Sequence, residues 1–504
     1  MTERPIPERP RKRVVVIGGG IAGISAAEGL ALAREATTHG DTGSTPEGDT
    51  EIVLLEARRR LGGRAGSFTD PSEDTEVDYC QHVGMGCCTN LLAMMRRAGA
   101  SDAWRRDEAL TFYHPESGFS RFRPSRWLPA PLHLASALWG LRFLTFSEKL
   151  SILSAMRRLL ATPESDLIDV IAADWLRANG QTVRVCERFW NVILVSALGD
   201  MPHHVSMAAS RKVFADGFAG ARGASDLLVP VEPLSQIFSV RMRDRLASLG
   251  VQVHTNSPVH HAVRTGPRTF AIEHGAASGP VACDAVVLAT RSRTTDRLLK
   301  ELGAEKICAV PSGNAPSRTL APDEPEVVSS PITGMHLWFD RRLTDRPHVA
   351  MVGTLAHWLF CEPLRTRADD HSGVYHQVVI SGKHPLSDQP KEVWLQTVLD
   401  ELRHAFPETS EAKLVRHRIV TDPNSVFRVS PDFMRTRPIT STDGSGIALA
   451  GDWIDTGWPA TMEGAVISGA MAAQEISQTL GLPSGTRVEH PLHRGWLARR
   501  LVAP

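Results

Sequence analysis

The chain has 504 residues, with 56 Lys plus Arg against 56 Asp plus Glu, and seven cysteines. That length calls for two or more domains, each large enough for its own core, and a formal charge of zero argues against nucleic acid as a partner. No run approaches the roughly 18 apolar residues of a transmembrane helix, and an odd, scattered cysteine set fits a reducing cytoplasm rather than a disulfide framework.

Residues 1–13 carry charges and prolines without an apolar core, which predicts a disordered tail rather than a signal peptide. Val14–Ile17 then reads as a buried strand running into Gly18, Gly20 and Gly23 at G-x-G-x-x-G spacing, followed by a helix from Ile24. This order places a tight turn and the N–H groups of a helix N-terminus where a pyrophosphate would lie. The glycine motif alone is weak. It gains weight from Glu51–Glu56, a second buried strand ending on an acid suited to a ribose hydroxyl. The acid usually follows the glycines by about 20 residues. Here the excess is explained by residues 37–50, rich in Gly, Ser and Thr, as a surface loop between helix and strand.

Past the acid, Gly62-Gly63-Arg64 lets the backbone pass close to a ribityl-pyrophosphate, with Arg64 available for charge-assisted contacts. Cys87 and Cys88 lack partners at metal spacing and read as buried thiols, so no metal site is expected. Asn90 as N-cap and Gly99 as stop frame a helix, and residues 166–178 have helical periodicity ended by Gly180. Phe189–Leu198, apolar nearly all round, predicts a buried helix. Between them, residues 123–144 combine Trp127, Trp139 and apolar neighbours with Arg123, Arg126 and Arg142. This suits either a surface dipping into a lipid interface or an apolar lid packed on its own domain. Arg222 and Asp226 are expected to pair at a domain junction. Residues 334–339, 357–360 and 374–380 alternate as strands of a sheet with one covered face.

Val251–Val253 and Cys283–Thr290 read as further strands of the cofactor domain, with Val253 on the adenine side. Near the C-terminus a strand ends on Gly451-Asp452, and Asp452 is suited to a ribityl group or phosphate-bound water. Trp458-Pro459-Ala460-Thr461-Met462 opens a helix whose small residues at 460, 464, 465, 468 and 469 suit close packing on a flat cofactor. Its N-terminus, at Thr461 and Met462, would face a ring carbonyl that gains charge on reduction. A second glycine unit for a nicotinamide is not found.

These segments together resemble the flavin amine oxidase and phytoene desaturase superfamily. Asp78–Leu91, Ser125–Leu132, Gly220–Leu227 and Ala450–Thr461 narrow the resemblance to the squalene-associated FAD-dependent family of hopanoid biosynthesis, the hydroxysqualene dehydroxylases. Coverage runs from about residue 12 to about 480. The sequence departs from that family at Tyr79-Cys80, where Asn-Gly is more usual. The resemblance implies FAD and an α/β fold: a Rossmann-like, glutathione reductase-like FAD-binding domain with an inserted mixed α+β substrate domain. The expected limits are 1–95, 222–305 and 430–504 for the first, and 96–221 (helical) with 306–429 (sheet) for the second. It also implies reductive removal of an allylic hydroxyl from a C30 isoprenoid. The cation would be held in an apolar pocket, electrons would come from NADPH or a separate reductase, and the protein would sit peripherally on the inner face of the plasma membrane.

For that chemistry His82 is the candidate general acid, since an ordinary imidazole pKa suits proton donation near neutrality. Gln81 would orient the hydroxyl, and Asp78 would orient His82 or cap a turn. A histidine satisfied by backbone is the plain alternative. Tyr79 or Trp458 could face a cation or simply pack, and Asp455 is either a supporting residue or a turn residue before Gly457. The rival activities are a phytoene-type carotenoid desaturase running the flavin in the oxidising direction, and a non-catalytic flavoprotein that carries squalene-like lipids.

Overall fold

The valines of Arg13–Ile17 are fully buried, as a strand covered on both faces requires. In the computed structural model, which describes residues 12–38, 50–70, 75–275, 279–304, 328–361, 373–440, 444–489 and 491–503, this strand is the centre of a five-stranded sheet. The order is Gln252–His254, Glu51–Leu55, Arg13–Ile17, Ala285–Leu288 and Ile447–Leu449, with every pair parallel. The helix Ile21–Thr38 leaves the first strand directly. It runs two residues into the segment expected to be loop; residues 39–49, like the expected N-terminal tail up to residue 11, lie outside the described residues.

The long helix Met462–Leu480 packs against Ile21–Thr38. A Cβ on Gly469 would stand 2.2 Å from the Ala22 carbonyl, and Ser25 Oγ donates to the Val466 carbonyl at 2.7 Å. Ser468 Oγ instead accepts from Gly451 N at 2.9 Å. The small residues at 468 and 469 are thus used against protein, not against a flat cofactor as the sequence suggested.

The second large sheet has seven strands, in the order Leu414–Phe427, Ser329–Phe339, Val374–Ser381, Trp358–Cys361, His348–Met351, Leu110–His114 and Gly118–Phe122. The first insertion, expected to be helical, therefore supplies the two strands at one end of this sheet. Both faces of the central strands are buried, not one. Met335, Leu337, Val378 and Ile380 pack under the helix Lys391–Ala405 through Trp394, Val398 and Leu402. Ile332, Val379, Trp358, Phe360 and Ala350 join Leu194, Leu198, Phe189 and Phe214 of the helical insertion in the largest apolar cluster.

The helical insertion also departs from its sequence pattern. Residues 166–178 form a 3₁₀ turn, Glu164–Leu167, and a separate helix, Ala172–Ala178; between them Ile171 is extended and bridges to Ser206. Phe189–Leu198 begins in a π-helical turn, Cys186–Trp190, and continues as Asn191–Leu198, ending at Gly199 with φ +70°. Asp226 pairs with Arg106 at 2.8 Å rather than with Arg222, which is exposed.

Candidate functional site

The glycine turn is built by close backbone approach. A Cβ on Gly23 would lie 1.8 Å from the Gly18 carbonyl, and Gly18 itself has φ +109°, so neither position admits a side chain. Gly62 N donates to the Gly19 carbonyl at 2.8 Å. Gly20 bridges to Gly62, and a Cβ on Gly63 would be 3.1 Å from Gly20 Cα. The two glycine segments thus form one bare backbone wall at the start of the helix, whose first-turn N–H groups have no partner within the helix.

Glu56 closes this wall. Its carboxylate accepts from Gly19 N at 2.6 Å and from Arg58 N at 2.7 Å, while Glu56 N donates to the His254 carbonyl at 2.8 Å. Val253 pairs with Leu54 one residue away. A cradle free of side chains, a helix N-terminus and a buried acid fit a dinucleotide: Gly18, Gly20, Gly23 and Gly63 would pass its phosphates, Glu56 its ribose.

Arg64 ties the beginning of the chain to its end. The guanidinium pairs with Asp452 and donates to the Ser425 carbonyl at 2.8 Å. Asp452 follows Gly451, where a Cβ would strike the Trp453 indole. Thr461 is the N-cap of Met462–Leu480, its hydroxyl accepting from Gly464 N at 3.1 Å. Asp455 accepts from Gly457 N at 3.1 Å, which is the turn role, and the Trp458 ring already faces Lys212 Nζ at 5.2 Å.

The Gln-His turn approaches the same place. His82 Nδ1 lies 2.9 Å from the Cys80 carbonyl. A carbonyl only accepts, so Nδ1 carries the hydrogen and Nε2 of the neutral ring is a lone pair. Burial lowers the His82 pKa; the Cys80 carbonyl opposes this, and the Arg64 charge adds to the lowering. The expectation of an ordinary imidazole pKa is therefore corrected: His82 is mostly neutral at pH 7. Gln81 is buried, with only a long 3.5 Å contact from its amide to the His82 carbonyl.

Asp78 does not orient His82. It accepts from Ser67 Oγ at 2.7 Å and from Leu234 N at 2.8 Å, so its role is to hold a turn. Burial pushes its pKa up to about 7, against the pull of those two hydrogen bonds. Tyr79 is 40% exposed and packs on Phe68, so its phenol ring does not face a buried chamber. Cys80 is an inert thiol, raised to about 12 by burial. Cys87 and Cys88 are buried, unpaired thiols.

Two functional supports escaped the sequence reading. Arg437, 1% exposed, threads the C-terminal loop by donating to the carbonyls of Asp452 (2.7 Å), Trp453 (3.3 Å) and Trp458. Glu463 accepts from Asn90 N at 3.0 Å, Asn90 Nδ2 at 2.7 Å and Leu91 N at 2.8 Å. It caps the helix Thr89–Arg97, the task assigned above to Asn90, which instead lies inside the first turn. Only an acid beside the Thr461 N-cap hinted at Glu463, and no pattern marks Arg437.

The chain matches a model of the family described as flavin containing amine oxidoreductase over residues 21–477. It is 27% identical to a 15-cis-phytoene desaturase of an Oncidium hybrid cultivar, covering 93% of this chain and 79% of that protein. It is 25% identical to a hydroxysqualene dehydroxylase of Sinorhizobium fredii, covering 93% of this chain and 99% of that one. The solved structure of cyclohexylamine oxidase from Brevibacterium oxydans shares the fold, with a TM-score of 0.62 at 17% identity, over 94% of this chain and all of that one.

Proposed function

Because this chain belongs to the flavin-containing amine oxidoreductase family and is an FAD-dependent oxidoreductase, we propose that it removes the hydroxyl of hydroxysqualene reductively, in squalene and hopanoid biosynthesis. The reaction consumes two electrons and two protons and releases squalene and water. The observation that carries this reading is His82: its Nδ1 is fixed on the Cys80 carbonyl and its Nε2 is left for substrate, beside Arg64 and the end of the glycine wall. Similarity over 99% of the Sinorhizobium fredii protein supports it.

When bound in its reduced form, FAD supplies the hydride equivalent. The rest falls to the chain. Protonated His82 holds two donors, Nδ1 toward Cys80 and Nε2 toward the departing hydroxyl oxygen. Gln81 offers a buried amide to the same oxygen. Leu194, Leu198, Val379 and Phe360 keep water from the allylic cation. Electrons reach the flavin from NADPH or a separate reductase.

Purified flavoprotein incubated with a reductant and hydroxysqualene is expected to yield squalene. The depressed His82 pKa sets the sign of the pH profile: kcat rises as pH falls below neutrality, following the protonated fraction. His82→Gln should abolish turnover while leaving flavin bound, and near-normal turnover would remove His82 from the reaction. The 27% identity to a phytoene desaturase supports a second reading, desaturation of a carotenoid precursor with the flavin reduced by substrate. Conversion of phytoene with an electron acceptor, and none of hydroxysqualene, would establish it. Tight squalene binding with neither conversion would leave a lipid carrier.

The same reading places substrate entry at residues 123–144 and docks that surface on the inner face of the plasma membrane. Trp127 is 93% exposed, Leu132, Trp139, Phe146 and Leu150 are exposed as well, with Trp139 edge-on to Phe146, and Arg123 and Arg142 are exposed in the same segment. A packed lid would not leave Trp127 bare. No helix among the described residues is long and apolar enough to cross a membrane. A Trp127→Ser/Phe146→Ser variant should lose co-sedimentation with anionic liposomes; unchanged sedimentation would overturn the docking surface.

A further inference from the structure

On the inward face of the seven-stranded sheet, one transverse row gathers several polar side chains. Strand register sets it: His336 pairs with Gln377, Gln377 with Phe360, and Phe360 with His348. Residues directly opposite across strands share a face, so these four side chains lie side by side. The adjoining row is Gly334, Val379, Trp358, Ala350 and Phe112, without a polar group other than the indole N–H, which donates to Ser196 Oγ at 2.8 Å.

Three members of the row hold a buried polar atom without a partner. Gln377 is 1% exposed and its Nε2, with two hydrogens to give, has no acceptor. His348, also 1% exposed, meets Asp107 Oδ2 through Nδ1 at 3.1 Å, and its Nε2 has no partner. His336 meets the Tyr375 hydroxyl through Nδ1 at 2.7 Å, and its Nε2 likewise has no partner. Buried polar atoms without partners are rare because each forfeits its hydration. Gln377 Nε2 is the one of the three that is a donor whatever the imidazole tautomers, and it points to a ligand that supplies an acceptor.

Gln377 is the one next to the reaction site. A Cβ built on Gly334 would stand 2.8 Å from the Tyr79 carbonyl and 3.5 Å from both Cys80 Cα and Gln377 Nε2. The free amide thus abuts the Tyr79-Cys80 turn, whose carbonyl at residue 80 fixes His82. The absence of a side chain at Gly334 is what lets the turn and the amide come together.

We propose that Gln377 seats the oxygen function of the lipid substrate, so that this floor selects an isoprenoid alcohol over the corresponding hydrocarbon. The inference rests on the proposed function, and deepens it by naming what distinguishes hydroxysqualene from a carotenoid precursor. A hydrocarbon leaves Gln377 Nε2 as unpaired as it is without ligand. An alcohol oxygen accepts from it. Gln377 is a positioning residue in this scheme: it holds the oxygen and transfers no proton.

The test is binding, which separates it from turnover. Detergent-solubilised holoenzyme, loaded with FAD, is titrated with hydroxysqualene and with squalene, and perturbation of the flavin absorbance reports each affinity. Wild type should bind the alcohol more tightly, by roughly tenfold for one hydrogen bond made to an otherwise unpaired donor. Gln377→Met, near in volume, should erase that preference while leaving squalene affinity and flavin content unchanged. Gln377→Leu gives a second apolar variant should the first misfold. Equal binding of the two ligands by wild type, or a preference retained by both variants, overturns the inference. Failure of the proposed function looks different: hydroxysqualene would bind with the Gln377-dependent preference yet yield no squalene.

Discussion

The two large sheets are buried by opposite means. The parallel sheet hides aliphatic strands: Val14, Val16, Ile52, Leu54, Val286 and Val287 are all fully enclosed and carry nothing that titrates. The antiparallel sheet buries His336, His348, His376 and Gln377 just as deeply. Burial drives His336, His357 and His376 down to about 4. The first sheet is an aliphatic stage whose strand ends present the bare glycine backbone. The second buries polar side chains on its face, where they must be held inside a core.

The largest effect should come from the stage. Gly23→Ala drives a methyl group onto the Gly18 carbonyl, where backbone meets backbone and neither can yield. A loss above about 4 kcal/mol is expected, read as protein without flavin absorbance and with a broadened thermal transition. A flavin-loaded Gly23→Ala protein would break the contrast drawn here.

Acid should distinguish the sheets next. His336 and His376 are neutral when folded and gain a proton on unfolding below their free value near 6.5. Their contribution is intact above that pH and is lost as pH falls toward 4, on the order of 3 kcal/mol each. Hydrogen exchange at pH 5 against pH 7.5 should show Ser329–Phe339 and Val374–Ser381 losing protection before Arg13–Ile17. Simultaneous loss would mean that the two sheets open as one unit.

The smallest effect sharpens the boundary. Glu463 is a buried carboxylate on the cofactor side, and its three hydrogen bonds join the helix Met462–Leu480 to Thr89–Arg97. Glu463→Gln keeps the shape but offers one acceptor oxygen, and should cost about 1–2 kcal/mol, seen as a lower midpoint in thermal denaturation. An unchanged midpoint would show that the cap is supplied by backbone alone.

The same contrast explains what could be read in advance. Val14–Ile17 followed by spaced glycines announces both a strand and its use, because the parallel sheet's rules are local: apolar run, turn, helix, acid. Gly99 and Gly180 adopt positive φ at helix ends as their positions suggested. The face of the antiparallel sheet was closed to that approach. Gln377 is an ordinary polar residue in a strand until its partners Phe360 and His336 are known. The strand Leu110–His114 joins His348–Met351 across more than 230 positions, so its short alternation was lost between helices. Asn90 was misjudged because its acceptor, Glu463, lies 373 residues away. Ile171 broke a periodic helix by bridging to Ser206.

Strand order also bears on how the protein is made. The fifth strand, Ile447–Leu449, the Asp452 partner of Arg64 and the helix that braces the glycine turn all belong to the final stretch of chain. A nascent polypeptide still on the ribosome at residue 300 therefore owns the glycine wall but none of these three. Capture of the coenzyme in its final form must await synthesis through the helix Met462–Leu480.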